Sequence, residues 1–168
     1  MDIFIIDTKK SDNLEPELLK KFCYKNFANK NREKIHCFSY LMLDKILKEV
    51  YEIEGDTILF DDKKPKLRTE KKYFSISHSN EYIAIAFSDF ECGIDIEEVK
   101  QRDYKKISAR MNFDSRSLED FYSDWTKFEA EYKLDSEPKS MYNFHIPKYA
   151  VTAVSTNKNE HFDVFFSL

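Results

Sequence analysis

Glycine is almost missing from these 168 residues: Gly55 and Gly93 are the entire supply. A residue type used so sparingly, and placed directly ahead of an acidic stretch, points to a backbone requirement at Gly93 such as a bulge or a close approach. Cysteine is scarce as well, and Cys23, Cys37 and Cys92 form an odd set without C-x-x-C spacing. Neither a zinc knuckle nor a disulfide framework is suggested, so all three are expected as buried thiols in a reducing compartment. No apolar run approaches the roughly 18 residues of a membrane-spanning helix. The apolar start Met1 to Asp7 has an acidic second residue, unlike the basic front of a signal peptide, and a cytoplasmic location is expected. The 27 basic residues are not gathered in a block and the formal net charge is -4. Wholesale binding to nucleic acid or to an anionic membrane is therefore not indicated.

What is present in quantity is material for a core, since 42% of the residues are hydrophobic. One globular domain or two small packed halves can be built from a chain of this length. The stretch Cys92-Gly93-Ile94-Asp95-Ile96-Glu97 alternates apolar and acidic residues. On an extended backbone Ile94 and Ile96 face a core while Asp95 and Glu97 point together the other way. Two carboxylates on one face repel unless water or a cation separates them, and hard oxygen donors suit Mg²⁺, with Mn²⁺ as the alternative. Alone, such a pattern is more often a half-buried strand with a wet acidic side. Further along, Trp125, Glu129 and Lys133 recur at every fourth residue and share one stripe of a helix, which offers Glu129 as a third carboxylate.

In chain order, Asp2 to Asp7 reads as a strand and Leu14 to Phe27 as an amphipathic helix with Pro16 near its start. After the polar break Asn29 to Arg32, a second and well-buried helix is expected from Glu33 to Glu49. Lys30, Arg32 and Lys34 cluster at its entrance. Thr57 to Phe60 is a short strand candidate and Asp61 to Lys66 a polar loop, with Lys64 held extended before Pro65. Tyr73 to Asn80, Tyr82 to Phe87 and Cys92 to Glu97 read together as an antiparallel meander. Lys105 to Met111 is weakly helical, and Ser115 to Asp124 leads into the helix of Trp125, Glu129 and Lys133. In that helix Phe121, Trp125, Phe128 and Tyr132 are expected to be core. Tyr149 to Ser155 and His161 to Phe166 are strand candidates joined by the turn Thr156 to Asn159. Helices followed by strands occur twice, which hints at two similar halves, residues 1–90 and 91–168.

Three blocks in order, F-S-I-S-H-S at residues 74–79, G-I-D-I-E at 93–97 and W-T-x-x-E-A-x-x-K from Trp125 to Lys133, resemble the signature of the 4'-phosphopantetheinyl transferases. Each block is weak alone, and their order and spacing together make the resemblance specific. The acidic strand lies past the middle of the chain, as in the larger surfactin-synthetase-activating type rather than the small trimeric enzymes. The resemblance implies an α+β fold of two similar halves, each a helix packed on a small antiparallel sheet. The halves are related by a pseudo-twofold axis, and coenzyme A lies between them, the first half on the coenzyme A side and the second carrying the carboxylates and catalytic helix. It implies Mg²⁺-dependent transfer of the phosphopantetheine arm of coenzyme A to a serine of an apo acyl or peptidyl carrier protein, releasing adenosine 3',5'-bisphosphate. A monomer is expected, with no nucleic acid and no membrane among its partners.

By the same resemblance Asp95, Glu97 and Glu129 match the metal-binding carboxylates, Glu129 also being the candidate base, and Lys133 matches a phosphate-contacting catalytic lysine. Ser77 and His78 match positions on the phosphates, and Lys64 one on the adenine nucleotide. The arginine that the family places near Ile35 for the 3'-phosphate is missing, and Lys34 or Arg32 is its candidate replacement. Phe128 stands where the family has lysine, and the nearest lysine, Lys127, is one step and about 100° away around the helix. The charge is then lost or supplied by another residue. The alternatives are a homologue that binds coenzyme A or a carrier protein with little transfer, and, as an outlier, a metal-dependent nuclease reading Asp95 with Glu131 and Lys133 as D...E-x-K. A helical setting and net acidic charge disfavour the last.

Overall fold

The chain runs β1 (Asp2–Asp7), a 3-10 turn (Thr8–Asn13), α1 (Pro16–Lys20), α2 (Lys30–Glu49), β2 (Ile58–Phe60), β3 (Pro65–Leu67), β4 (Tyr73–Ser79) and β5 (Tyr82–Ser88). It continues through β6 (Cys92–Glu98), α3 (Tyr104–Met111), α4 (Leu118–Leu134), β7 (Ser140–Ile146), β8 (Tyr149–Ser155) and β9 (Asp163–Phe166). This is a computed structural model, and it describes residues 1–25, 27–55, 58–60, 64–69, 72–134 and 136–166. Thr57 and the loop residues 61–63 lie outside the described residues.

The architecture is mixed α+β with small, mainly antiparallel sheets. One sheet has the order β4-β5-β1-β9, a second β6-β8-β7, and β2 pairs with β3. Strict alternation in β1 and β5 serves two cores at once. Phe4, Ile6, Ile83, Ile85 and Phe87 pack beneath α2 with Phe38, Leu43 and Ile46. Ile3, Ile5, Ala84 and Ala86 face the other way, against Ile94, Ile96, Val151 and Ala153 of the second sheet. The two alanines on β5 leave room for the isoleucines of β6.

Helix α4 covers the other face of the β6-β8 pair. It starts in a reciprocal cap, in which the Ser117 hydroxyl accepts from the Asp120 N–H and the Asp120 carboxylate accepts from the Ser117 N–H, each at 3.0 Å. Gly93 explains the closeness of that packing. A Cβ there would overlap the Ala130 carbonyl oxygen and lie 3.1 Å from both the Ala130 carbonyl carbon and the Leu134 nitrogen. The expected backbone requirement at Gly93 is therefore a close approach.

Several expectations are corrected. The first helix is short, α1 ending at Lys20, and beyond it Cys23 is bonded to Cys37 of α2 with their Cα atoms 4.8 Å apart. That bond also replaces the expectation of three free thiols: Cys92 alone of the three is free, and it is buried. Helix α2 begins at Lys30 rather than Glu33, because the Asn29 side chain accepts from the Asn31 and Arg32 N–H groups and turns the polar break into a cap. Pro65 to Leu67, read as loop and beyond, pairs with β2. The meander stops after its first hairpin: β5 pairs with β4 and β1, while β6 joins β8 in the other sheet. Likewise β8 and β9 are no hairpin, since β9 crosses to lie parallel to β1. Strand β7 lies outside the expected elements, although Tyr142, Phe144 and Ile146 alternate with Asn143 and His145, a readable strand signal. Among the described residues no helix is long and apolar enough to cross a membrane.

Candidate functional site

Strand β6 turns Ile94 and Ile96 into the core at 0% exposure and sends Asp95 and Glu97 toward α4, as their alternation requires. Asp95 is nonetheless not wet: it is 4% exposed. Its Oδ1 accepts from Lys133 Nζ at 2.7 Å and from Ser77 Oγ at 2.6 Å. Lys133 also donates to the Ile94 carbonyl at 3.1 Å, so the lysine is held on β6 from two sides. Asp95 Oδ2 is buried and has no hydrogen-bond partner. A buried carboxylate oxygen left this way costs free energy unless something positive meets it.

Glu97 is half-buried, and Ser79 Oγ donates to its Oε2 at 3.0 Å. Burial first and the Asp95 charge second push the Glu97 carboxyl above its usual range, with Glu129 adding to the effect. Glu129, one helical turn before Lys133 on α4, is raised in the same way by burial and then by Asp95. Three carboxylates thus share one region with one ammonium group. Among the described residues, however, no three His, Cys, Asp or Glu side chains are gathered closely enough to hold a metal ion as they stand. The donor set is still all oxygen, the kind a hard divalent cation takes, and Asp95 Oδ2 has no other partner.

Beside this acidic cluster is a cleft of about 250 Å³ walled by α2, β3, β4 and α4. Lys64, His78 and Lys133 line it, as do His36, Ser39 and Tyr40. Lys64 Nζ reaches the Leu134 carbonyl at 3.5 Å. His78 presents an exposed edge to the cleft but is crowded by protein atoms behind it. That burial, with the Lys133 charge next and Arg32 after it, lowers its pKa and favours the neutral ring. His36 is lowered too, by burial and then by Lys25 and His78, and its buried Nε2 has no hydrogen-bond partner.

The structure brings Asp95, Glu97, Glu129, Lys133, His78 and Lys64 into one neighbourhood. Ser77 belongs to it differently from the expectation, being buried against Asp95 rather than turned to the cleft. Lys34 is not brought in: it pairs with Asp12 and lines a separate groove on another face of α2. Arg32 is the basic residue of that segment whose charge reaches His78. Lys127 pairs with Glu131 along α4 at 3.9 Å. Phe128 and Tyr132 are not core; they are 40% and 77% exposed, whereas Phe121 is fully buried and Trp125 packs against it. His36, Ser39 and Tyr40 lie outside the expected site residues, although polar groups at i, i+3 and i+4 within the otherwise apolar run from Ile35 to Leu43 are a readable signal. No protein-family model matches the chain, and no curated protein matches it at a significant level.

Proposed function

We propose that the protein is a 4'-phosphopantetheinyl transferase of the two-halved type, moving the phosphopantetheine arm of coenzyme A to a serine of an apo acyl or peptidyl carrier protein. The observation that carries the reading is Asp95: one oxygen is tied to Lys133 and Ser77, the other is buried and unpartnered, its charge acts on Glu97 and Glu129, and Lys133 also lines a basic cleft. That arrangement joins an acidic cation site to a pocket for phosphates, as attack on a pyrophosphate requires.

In the proposed reaction the serine Oγ bonds to the β-phosphorus of coenzyme A, the bond to the bridging oxygen breaks, and adenosine 3',5'-bisphosphate leaves with that electron pair. Glu129, whose carboxyl is made more basic by burial and by Asp95, takes the serine proton. Lys133 sets an ammonium charge between Asp95 and the cleft, where phosphate oxygens gain negative charge. Neutral His78 donates a hydrogen bond to phosphate rather than a full charge. Lys64 and Arg32 supply the remaining positive field for the nucleotide end. Asp95, Glu97 and Glu129 would hold Mg²⁺, which when bound neutralises charge on the pyrophosphate.

The test is incubation with a fluorescent coenzyme A, Mg²⁺ and an apo carrier protein. Labelling of the carrier that Glu129→Ala abolishes is expected, and no labelling above that variant overturns the reading. Binding of adenosine 3',5'-bisphosphate without labelling would identify the non-transferring homologue instead.

A further inference from the structure

We propose that the serines of β4 are a register lock for the acidic strand, with Ser77 and Ser79 acting as positioning residues for its two carboxylates; this rests on the transferase reading above. Strands β4 and β6 each lie at the edge of their own sheet, and among the described residues no backbone ladder joins them. Hydroxyl groups join them instead. Ser75 Oγ accepts from the Ile94 N–H at 3.1 Å, Ser77 Oγ donates to Asp95 Oδ1 at 2.6 Å, and Ser79 Oγ accepts from the Glu98 N–H at 3.0 Å while donating to Glu97 Oε2 at 3.0 Å.

The three serines are alternate residues and so share one face of β4. Their partners lie 18 or 19 residues further along in every case, so the two strands run in the same direction and in a single register. A slip of one residue would send Asp95 and Glu97 into the apolar core and bring the isoleucines out.

The hydroxyl at Ser79 carries one hydrogen. Since the Glu98 N–H can only donate, the oxygen receives there and its hydrogen is left for Glu97. Ser79 therefore aims a carboxylate as well as joining two strands. Ser77 does the same for Asp95, and both occupy one oxygen of their acid without taking the other. At Asp95 the oxygen left over is the buried, unpartnered Oδ2. Orienting partners of this kind typically change metal affinity by about 10- to 100-fold.

The test is titration of the full chain with Mn²⁺, free ion being read by electron paramagnetic resonance, with thermal unfolding of each variant in parallel. Ser79→Ala is expected to weaken Mn²⁺ binding by about 10- to 100-fold, and Ser79→Thr, which keeps the hydroxyl, to stay near the parent. Ser75→Ala touches no carboxylate; it lowers the melting temperature and leaves Mn²⁺ affinity unchanged. Should Ser79→Ala not fold, Ser77→Ala reads the same loss at Asp95. Parent-like affinity in the folded alanine variant overturns the proposal, as does an equal loss in Ser75→Ala, which would mean simple packing. Absence of Mn²⁺ binding by the parent chain overturns the transferase reading, and the positioning role with it.

Discussion

The groove between α1 and α2 has a volume of about 460 Å³, against about 250 Å³ for the cleft on another face of α2. Each lysine of the larger groove already meets a carboxylate: Lys20 pairs with Glu17 at 3.2 Å, Lys30 with Glu33 at 2.9 Å, and Lys34 with Asp12. Its floor is closed by the Cys23–Cys37 bond. In the smaller cleft Lys64 leans on a carbonyl, His36 has an unpartnered nitrogen, and Lys133 ties the wall to a carboxylate that has itself one oxygen left over. Under the transferase proposal, size alone would select the wrong depression. Unspent polar capacity, held in place by packing, is the better guide to where a charged ligand belongs.

The contrast breaks most completely at Gly93. In Gly93→Ala the new methyl group meets the Ala130 carbonyl, so α4 must lift from β6 and carry Glu129 and Lys133 away from Asp95. A loss of about 3 kcal/mol of unfolding free energy, the upper end of ordinary overpacking, is expected from urea unfolding, together with loss of carrier labelling. The groove side, which contains no part of α4, keeps its disulfide.

A smaller effect sharpens the comparison on α2 itself. Arg32 and Lys34 are two residues apart, but the charge of Arg32 reaches His78 on the cleft wall while Lys34 lines the groove. Arg32→Ala is expected to weaken adenosine 3',5'-bisphosphate binding about tenfold, the scale of one charge-assisted hydrogen bond, and Lys34→Ala to leave it within about twofold. Calorimetric titration of both variants checks this. Equal losses would mean that the two depressions form one electrostatic field.

The smallest effect is in pH. Burial lowers the folded-state pKa of His36 from the ordinary 6.5. Below about 6.5 the unfolded chain takes up a proton that the folded chain refuses, so stability falls as pH drops from there toward the lowered value. The raised Glu97 and Glu129 act in the opposite sense, since the folded state holds their protons to higher pH. The His36 contribution is therefore read as a difference: His36→Gln should lose less stability than the parent between pH 7.5 and 5.5 in urea unfolding. An identical loss would place His36 in water and remove it from the cleft wall.

Local pattern carried a good part of this molecule. Alternation placed β4 and β6, short apolar runs placed β1, β5 and β8, and helical spacing placed α3, α4 and most of α2. It also put Asp95 and Glu97 on one face of β6, Glu129 and Lys133 one turn apart on α4, and a tight spot at Gly93. These are properties of neighbours in the chain, set by side-chain periods of about 2 and 3.6 residues.

Tertiary structure decided what lies beside what. Nothing local told β6 to leave the meander and zip to β4 through hydroxyls, or β9 to return to β1. Nor did residue spacing reveal that Cys23 would meet Cys37, that Lys34 would be claimed by Asp12, or that Tyr132 would stand in solvent. Strand edges compete for partners across the whole chain, and a charged side chain settles on whichever opposite charge the packed backbone brings near. Periodicity fixes the face on which a residue sits; contact, burial and charge balance arise when the faces are assembled.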